Sequence, residues 1–244
     1  MSNAFGDIGI IYKDKNFLAI NKPAGILVQK APGAGHREAE APTIVDWLLE
    51  NYPEVKTVGD KPEERPGIVH RLDRETSGVM LVARNQETFD YLKSQFQERK
   101  VQKTYWALVF GNVKDSSGRI ELPIGIKSGT TKRTVFAKKM KMIKEAVTDY
   151  EVIKYLKIGG EDFTLLKVLP RTGRTHQIRV HLTAIGHPIM GDKLYGGKRN
   201  QLAGLDRQFL HAQSIEFTSS TGERVKFEAD LPEELEKILD FNEG

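Results

Sequence analysis

What most limits the folds open to this chain is a succession of short β-prone runs with few helical stretches between them. Residues 8–12 and 16–20 flank Lys13-Asp14-Lys15, a hairpin pattern. Residues 79–83, 101–110, 118–121, 134–137, 146–155, 163–169, 209–217 and 225–229 read as further strands. Helical periodicity is confined to four places. Thr43 caps a helix with Ile44, Trp47 and Leu48 on one face, and Pro53 stops it. In residues 87–99, Phe89, Leu92 and Phe96 share a face, and Lys93, Arg99 and Lys100 lie where the helix dipole favours cations. Residues 178–185 form a short helix ended by Gly186, and Pro232 opens a last one with Leu235, Ile238 and Leu239 inside. Strands dominate and βαβ alternation is absent. The expected class is therefore α+β, with a mixed, largely antiparallel sheet.

Neither an internal repeat nor a Pro/Gly/Ser linker divides the 244 residues, so a single domain over residues 8–241 is expected. Hydrophobic residues make up 39% and charged residues 29%, which suits a soluble folded chain and excludes a disordered one. Lysine and arginine number 37 against 33 acidic residues, for a net +4. So small an excess requires any nucleic-acid surface to come from local clustering. The absence of cysteine excludes disulfides and thiolate metal sites and fits a reducing compartment. No apolar run approaches the ~20 residues of a membrane span, and no signal segment opens the chain. The expected location is the cytoplasm, with no membrane partner.

Chemistry concentrates first in His70-Arg71-Leu72-Asp73-Arg74-Glu75-Thr76-Ser77-Gly78. Loop chemistry here runs into the apolar stretch 79–83, so Asp73 is expected on a turn before a buried strand, a rigid place for a reactive side chain. Arg71 or Arg74 within salt-bridge reach would keep its carboxylate ionised. Such a carboxylate can act as nucleophile, base or metal ligand, but the same pattern also suits a surface charge cluster.

The stretch resembles the signature of the RluA family of pseudouridine synthases, in which the Asp of this motif is indispensable. Three further blocks agree in order: Asn21-Lys22-Pro23-Ala24-Gly25; Lys103-Thr104-Tyr105-Trp106-Ala107-Leu108-Val109; and Thr172-Gly173-Arg174-Thr175-His176-Gln177-Ile178-Arg179-Val180-His181 with Gly186-His187-Pro188-Ile189 and Gly191-Asp192. Together they span residues 10 to 230 or thereabouts. The resemblance implies the pseudouridine synthase fold with a central active-site cleft. It also implies isomerisation of selected uridines in RNA. The helical RNA-binding domain that many members carry at the N-terminus is expected to be missing, because the catalytic pattern begins almost at residue 8.

Tyr105 alone reads as an ordinary strand aromatic; the resemblance makes it a platform for the target uracil and a candidate to assist proton removal. Arg179, aligned through Gln177-Ile178-Arg179, takes the place of the basic residue that pairs with the catalytic Asp. Arg174 is expected near RNA phosphate or behind the site. Arg71 matches the residue that occupies the space left by the flipped nucleotide, and His70 is grouped with the substrate-binding residues. Lys127, Lys132, Arg133, Lys138, Lys139, Lys141 and Lys144 form the densest basic stretch. It reads either as a solvated face or as a projecting hairpin that grips RNA backbone.

The six histidines raise the question of a metal. His176 and His181 are five apart, about 140° around a helix, and so do not share a face. No His-Glu-x-x-His pattern or cysteine partner exists, and Ser128-Gly129-Thr130-Thr131-Lys132 has the wrong spacing for a phosphate loop. No metal and no nucleotide cofactor is expected. The leading reading is a monomeric RNA pseudouridine synthase acting on structured ribosomal or transfer RNA. Two rivals are a non-catalytic RNA-binding or assembly module on the same fold, and a metal-dependent nuclease using Asp73 and histidines.

Overall fold

The computed structural model describes residue 5 and residues 7–30, 40–130, 132–135, 140–197 and 205–240. These divide into two compact units, one of residues 1–102 and 212–230, the other of residues 103–211 and 231–244. The chain therefore leaves each unit and returns to it once.

In the first unit, strands β1 (Gly9–Lys13) and β2 (Phe17–Lys22) form the expected hairpin, with a bulge between Ile10 and Tyr12. Strand β3 (Ser77–Ala83) pairs antiparallel with β2, from Phe17 opposite Ala83 to Lys22 opposite Gly78. All seven residues of β3 are buried, which explains its unbroken apolar run. Each large apolar side chain buried there is worth about 1.5–3 kcal/mol. Gly78 is required beside the next strand: its φ is +116°, and a Cβ there would lie 2.2 Å from the Ala212 carbonyl oxygen. Helix α1 (Ile44–Asn51) begins with a complete capping box between Thr43 and Asp46. Pro53 then opens a 3₁₀ turn, Pro53–Thr57. Helix α2 (Gln86–Gln97) is capped by Asn85 and buries Phe89 and Leu92 as expected. Its third buried residue is Gln95 and not Phe96. The Gln95 amide donates to the Thr218 carbonyl at 2.8 Å and accepts the Thr218 N–H at 3.1 Å, so burial leaves neither end of it unsatisfied.

The second unit is built on β4 (Gln102–Phe110), β5 (Ser117–Glu121), β9 (Val147–Ile158) and β10 (Glu161–Pro170), in the order β4-β10-β9-β5 with antiparallel pairing throughout. A separate three-stranded sheet, also antiparallel, carries the basic stretch: β6 (Ile124–Lys127) lies between β7 (Arg133–Thr134) and β8 (Met140–Lys144). The strand expected over residues 134–137 is thus observed at Thr134, while Phe136 and Ala137 lie outside the described residues. Helix α3 (Gln177–Ala184) and the C-terminal α4 (Glu233–Asp240) bury Ile178, Leu182, Leu235 and Ile238 in one core with Leu108, Phe110, Leu166 and Phe209. Strand β11 (Leu210–Thr218) carries the chain from the second unit into the first, where it pairs with β12 (Arg224–Glu228). The α+β class and the predominance of antiparallel pairing match the strand-rich sequence.

Candidate active site

Asp73 lies, as expected, on the turn that delivers the chain into β3, between buried Leu72 and buried Thr76. The backbone on both sides of it is pinned. The Asp73 carbonyl accepts the Thr76 N–H at 3.1 Å, and the Arg74 carbonyl accepts the Gly25 N–H at 2.9 Å. A second donor to the Arg74 carbonyl is the Lys22 ammonium, at 3.0 Å, which also reaches Pro23 O at 2.8 Å and Ile26 O at 2.9 Å. Lys22 is fully buried, and three charge-assisted hydrogen bonds offset its loss of water. The Asn21-to-Gly25 block is thereby explained: its lysine and glycine hold the peptide next to Asp73. Nothing in its local pattern distinguishes Lys22 from a surface lysine.

The two flanking arginines are placed differently. Arg74 directs its Nε to the Gly25 carbonyl at 2.9 Å and to Glu75 at 3.6 Å, and Arg71 is exposed. Arg74 therefore clamps the turn, and its charge is committed elsewhere than to its neighbour Asp73. His70 plays a structural part. Its Nε2 accepts the Leu81 N–H at 2.9 Å, and its ring stacks on Phe96 with centroids 4.8 Å apart.

In the second unit, Tyr105 sits mid-strand on β4 opposite Val168, half-buried against the core. Two residues earlier on the same strand face, Lys103 reaches the Thr172 carbonyl at 3.3 Å, and burial of its ammonium pushes its pKa down to about 8.

The block from Thr172 onward is organised by Gln177, which is buried. Its carbonyl oxygen accepts from the Thr172 hydroxyl at 2.6 Å and the Arg174 N–H at 3.0 Å. Its amide donates to Val147 O at 2.9 Å and Thr148 Oγ1 at 3.0 Å. Arg174 turns its Nε to the Glu145 carbonyl at 3.0 Å. Arg179 is 7% exposed and meets Asp192 in a two-pronged pair, Nε to Oδ2 at 2.7 Å and Nη2 to Oδ1 at 2.9 Å. Burial alone would raise the Asp192 carboxyl. The Arg179 guanidinium and the backbone N–H groups of Tyr195 and Leu194 more than offset it, holding the pKa below the usual carboxylate value. Gly191, with φ +75°, is required beside this aspartate because a Cβ would lie 1.9 Å from the Arg207 carbonyl oxygen.

The RNA pseudouridylate synthase family pattern matches residues 16–184. The chain belongs to that family. An uncharacterized RNA pseudouridine synthase of Aquifex aeolicus (strain VF5) is 41% identical over 243 residues, covering 97% of this chain and 73% of that protein. The ribosomal large subunit pseudouridine synthase D of Pseudomonas aeruginosa is 38% identical over 248 residues, covering 96% of this chain and 71% of that one. Among solved structures, human RNA pseudouridylate synthase domain containing 1 superposes with a TM-score of 0.75 at 27% identity, over 95% of this chain and 86% of its own. Human RNA pseudouridylate synthase domain containing 4 superposes at 0.70 and 26%, over 96% and 92%. This chain is accordingly an RNA pseudouridine synthase, an isomerase.

Within this synthase His176, His181 and His187, like His70, are hydrogen-bonding groups. His181, fully buried, is held between Thr148 Oγ1 and Leu122 O, both at 2.9 Å, and burial lowers its pKa. His187 meets Phe110 O at 2.8 Å and His176 meets the Tyr195 hydroxyl at 3.0 Å. Among the described residues no group of three or more His, Asp or Glu is arranged to hold a metal ion. No helix among them is long and apolar enough to cross a membrane. Of the basic stretch, Lys132 and Arg133 lie at β7 and Lys127, Lys141 and Lys144 are exposed on β6 and β8, whereas Lys138 and Lys139 lie outside the described residues. Lys132 donates to Leu194 O at 2.8 Å. Residue patterns alone give Asp192 and Tyr195 no role. The signal available is their position just after Gly186-His187-Pro188-Ile189, a block with no evident chemistry of its own.

Proposed function

We propose that this synthase isomerises particular uridines in structured ribosomal or transfer RNA in the cytoplasm, with Asp73 as the reacting carboxylate. In this reading residues 8–241 work as one catalytic domain, and the protein acts as a monomer without a metal or nucleotide cofactor. Tyr105 stacks on the uracil, Arg179 orients the Asp73 carboxylate, and Arg71 occupies the space left by the flipped nucleotide. His70 is grouped with Arg71 among the residues that bind the substrate. Arg174, Lys132, Arg133, Lys138 and Lys139 face the RNA backbone.

The observation that carries the reading is the way Asp73 is held. Its neighbours are fastened through backbone atoms by Lys22, Gly25 and Arg74, which fixes the turn that bears the carboxylate. The names of the relatives support ribosomal RNA as the first substrate to test. The chemistry is balanced without a co-reactant. The bond from N1 to C1′ breaks, the uracil turns, C5 joins C1′, and the hydrogen leaving C5 is matched by one gained at N1. A carboxylate can serve this sequence by adding to C6, by attacking C1′, or by taking the 2′ proton. An enclosed apolar wall would keep water from any covalent intermediate.

The test is Asp73→Asn, which keeps the size of the side chain and removes its nucleophilicity and basicity. Release of tritium from uridine labelled at C5 should fall by about 10⁴-fold or more, as for other removed nucleophiles. RNA affinity should stay within a few-fold of the unaltered protein. Turnover retained in Asp73→Asn would remove this carboxylate from the mechanism.

A further inference from the structure

Tyr195 is the meeting point of more groups than its place in the sequence suggests. Its ring lies under two cations, with the Arg179 guanidinium carbon 5.1 Å and the Lys132 ammonium 5.0 Å from the ring centre. Its hydroxyl accepts the Arg133 N–H at 3.2 Å and meets His176 Nδ1 at 3.0 Å. Its own N–H donates at 3.0 Å to Oδ1 of Asp192, the oxygen that also receives Arg179 Nη2. The flank of the ring packs with Val135 against Ile124, Ala146 and Val180. Tyr195 thus meets the basic three-stranded sheet and its approach through Arg133 and Lys132, and meets α3 and its start through Arg179 and His176.

The backbone at His176 adds an independent sign. His176 precedes α3 in the left-handed region, φ 57° and ψ 21°, and makes no side-chain cap to the helix. A non-glycine residue there is strained, and such strain persists where the surroundings over-determine it. Here the imidazole is held edge-on to the Tyr195 ring, centroids 5.7 Å apart at 75°, as well as by the hydroxyl. The strain therefore sets where α3 starts and, three residues on, where Arg179 emerges.

We propose that Tyr195 is the positioning residue through which RNA engagement at the basic sheet is transmitted to Arg179. This rests on the reading that Arg179 serves the isomerisation. Two cations sharing one ring repel each other and divide its attraction. An RNA phosphate that neutralises Lys132 removes that repulsion and leaves the ring to Arg179, while the Arg133 N–H and His176 keep the ring in register.

The test measures isomerisation in single turnover with enzyme saturating over RNA, so that the rate reports bound substrate only. Tyr195→Leu should lower that rate about tenfold, equivalent to about 1.4 kcal/mol. Tyr195→Phe, which keeps the ring, should recover most of the loss. Lys132→Met, which removes the competing charge as a bound phosphate does, should speed bound RNA by up to about threefold in the unaltered protein and leave the rate unchanged in the Tyr195→Leu background, a non-additive cycle. A merely structural tyrosine would lower the melting temperature and leave the single-turnover rate intact below it. If Tyr195→Leu does not fold, the same cycle is run with Tyr195→Met, which also removes the ring, and non-additivity is again required; in the Tyr195→Phe background, which keeps it, the Lys132→Met effect should persist. Arg179→Lys, measured alongside, separates the two ideas. A slowed Arg179→Lys with additive or unaffected Tyr195 variants overturns the Tyr195 proposal alone. A full-rate Arg179→Lys overturns the role of Arg179 on which it rests.

Discussion

The turn carrying Asp73 and the helix start carrying Arg179 are both held, and the bonds that hold the turn run through main chain where those at the helix start run through a side chain. Around Asp73 the fastening runs through main-chain atoms, with Lys22 and Gly25 on the Arg74 carbonyl and Arg74 itself on the Gly25 carbonyl. Around Arg179 it runs through the functional group, whose guanidinium is gripped by the buried Asp192 carboxylate. The difference follows from the proposed work of each residue. A carboxylate that must form and break bonds gains from a turn that is already fixed through its main chain. An arginine that only has to present charge can be held by part of its donor fork and still do so.

The strongest way to break the comparison is to remove Asp192. Asp192→Ala leaves a buried guanidinium without its partner, which should cost about 3–5 kcal/mol in urea unfolding. A loss below about 1 kcal/mol would mean that the pair is not what holds Arg179. The acid limb sharpens this. Because the folded-state pKa of Asp192 is held down, its contribution is present above the unfolded carboxyl value near 3.9 and is lost as pH falls through the folded value. Stability of the wild type below about pH 4 should therefore fall more steeply than that of Asp192→Asn.

Next comes Lys22→Met, which attacks the main-chain fastening. It deprives Pro23 O and Ile26 O of a donor and leaves Arg74 O with Gly25 alone. At about 1–3 kcal/mol for a buried acceptor left unmade, a total near 2–4 kcal/mol is expected. Equal stability of Lys22→Met and wild type would show that the turn is held by something else.

A smaller effect is expected at Lys103, which has no carboxylate partner among the described residues and reaches only the Thr172 carbonyl. Its pKa of about 8 in the folded protein lies below its unfolded value, so the folded state disfavours the charged form. Stability should then rise with pH from about 8 to about 10 as the unfolded chain keeps a proton that the folded one has released. Lys103→Met should flatten that rise in thermal melts at stepped pH and melt higher than wild type at pH 7. An identical pH profile in the two proteins would place the ammonium in water.

The smallest effect concerns the exposed lysines of the basic sheet. Replacing Lys127, Lys141 and Lys144 by Gln should weaken RNA binding and reduce the log–log salt slope by up to about one per lost phosphate contact. An unchanged slope would assign them to a solvated face.

Much of this molecule was legible from residue patterns because local physics dictates it. The capping box at Thr43 and Asp46, the apolar run of β3 and the periodicity of Phe89 and Leu92 depend on neighbours a few residues away. The four ordered blocks and the place of Asp73 before a buried strand were equally readable. Gln95 was not legible in this way because its burial depends on Thr218, 123 positions along the chain. Arg74 misled for a similar reason: proximity to Asp73 in sequence suggested a pair, while folding gave its guanidinium to Gly25 and Glu75.

Sequence by itself determined the strand-rich class, the helix starts, the family and the short stretches where chemistry could reside, since these follow from spacing and residue type. Tertiary structure alone decided which polar groups are buried and what answers them: Lys22 on three carbonyls, Gln177 on four partners, Asp192 on Arg179, and Tyr195 between a basic sheet and a helix. The physical reason is that a buried polar atom must find a partner wherever the fold brings one within about 3 Å, and that distance is not written in the order of residues.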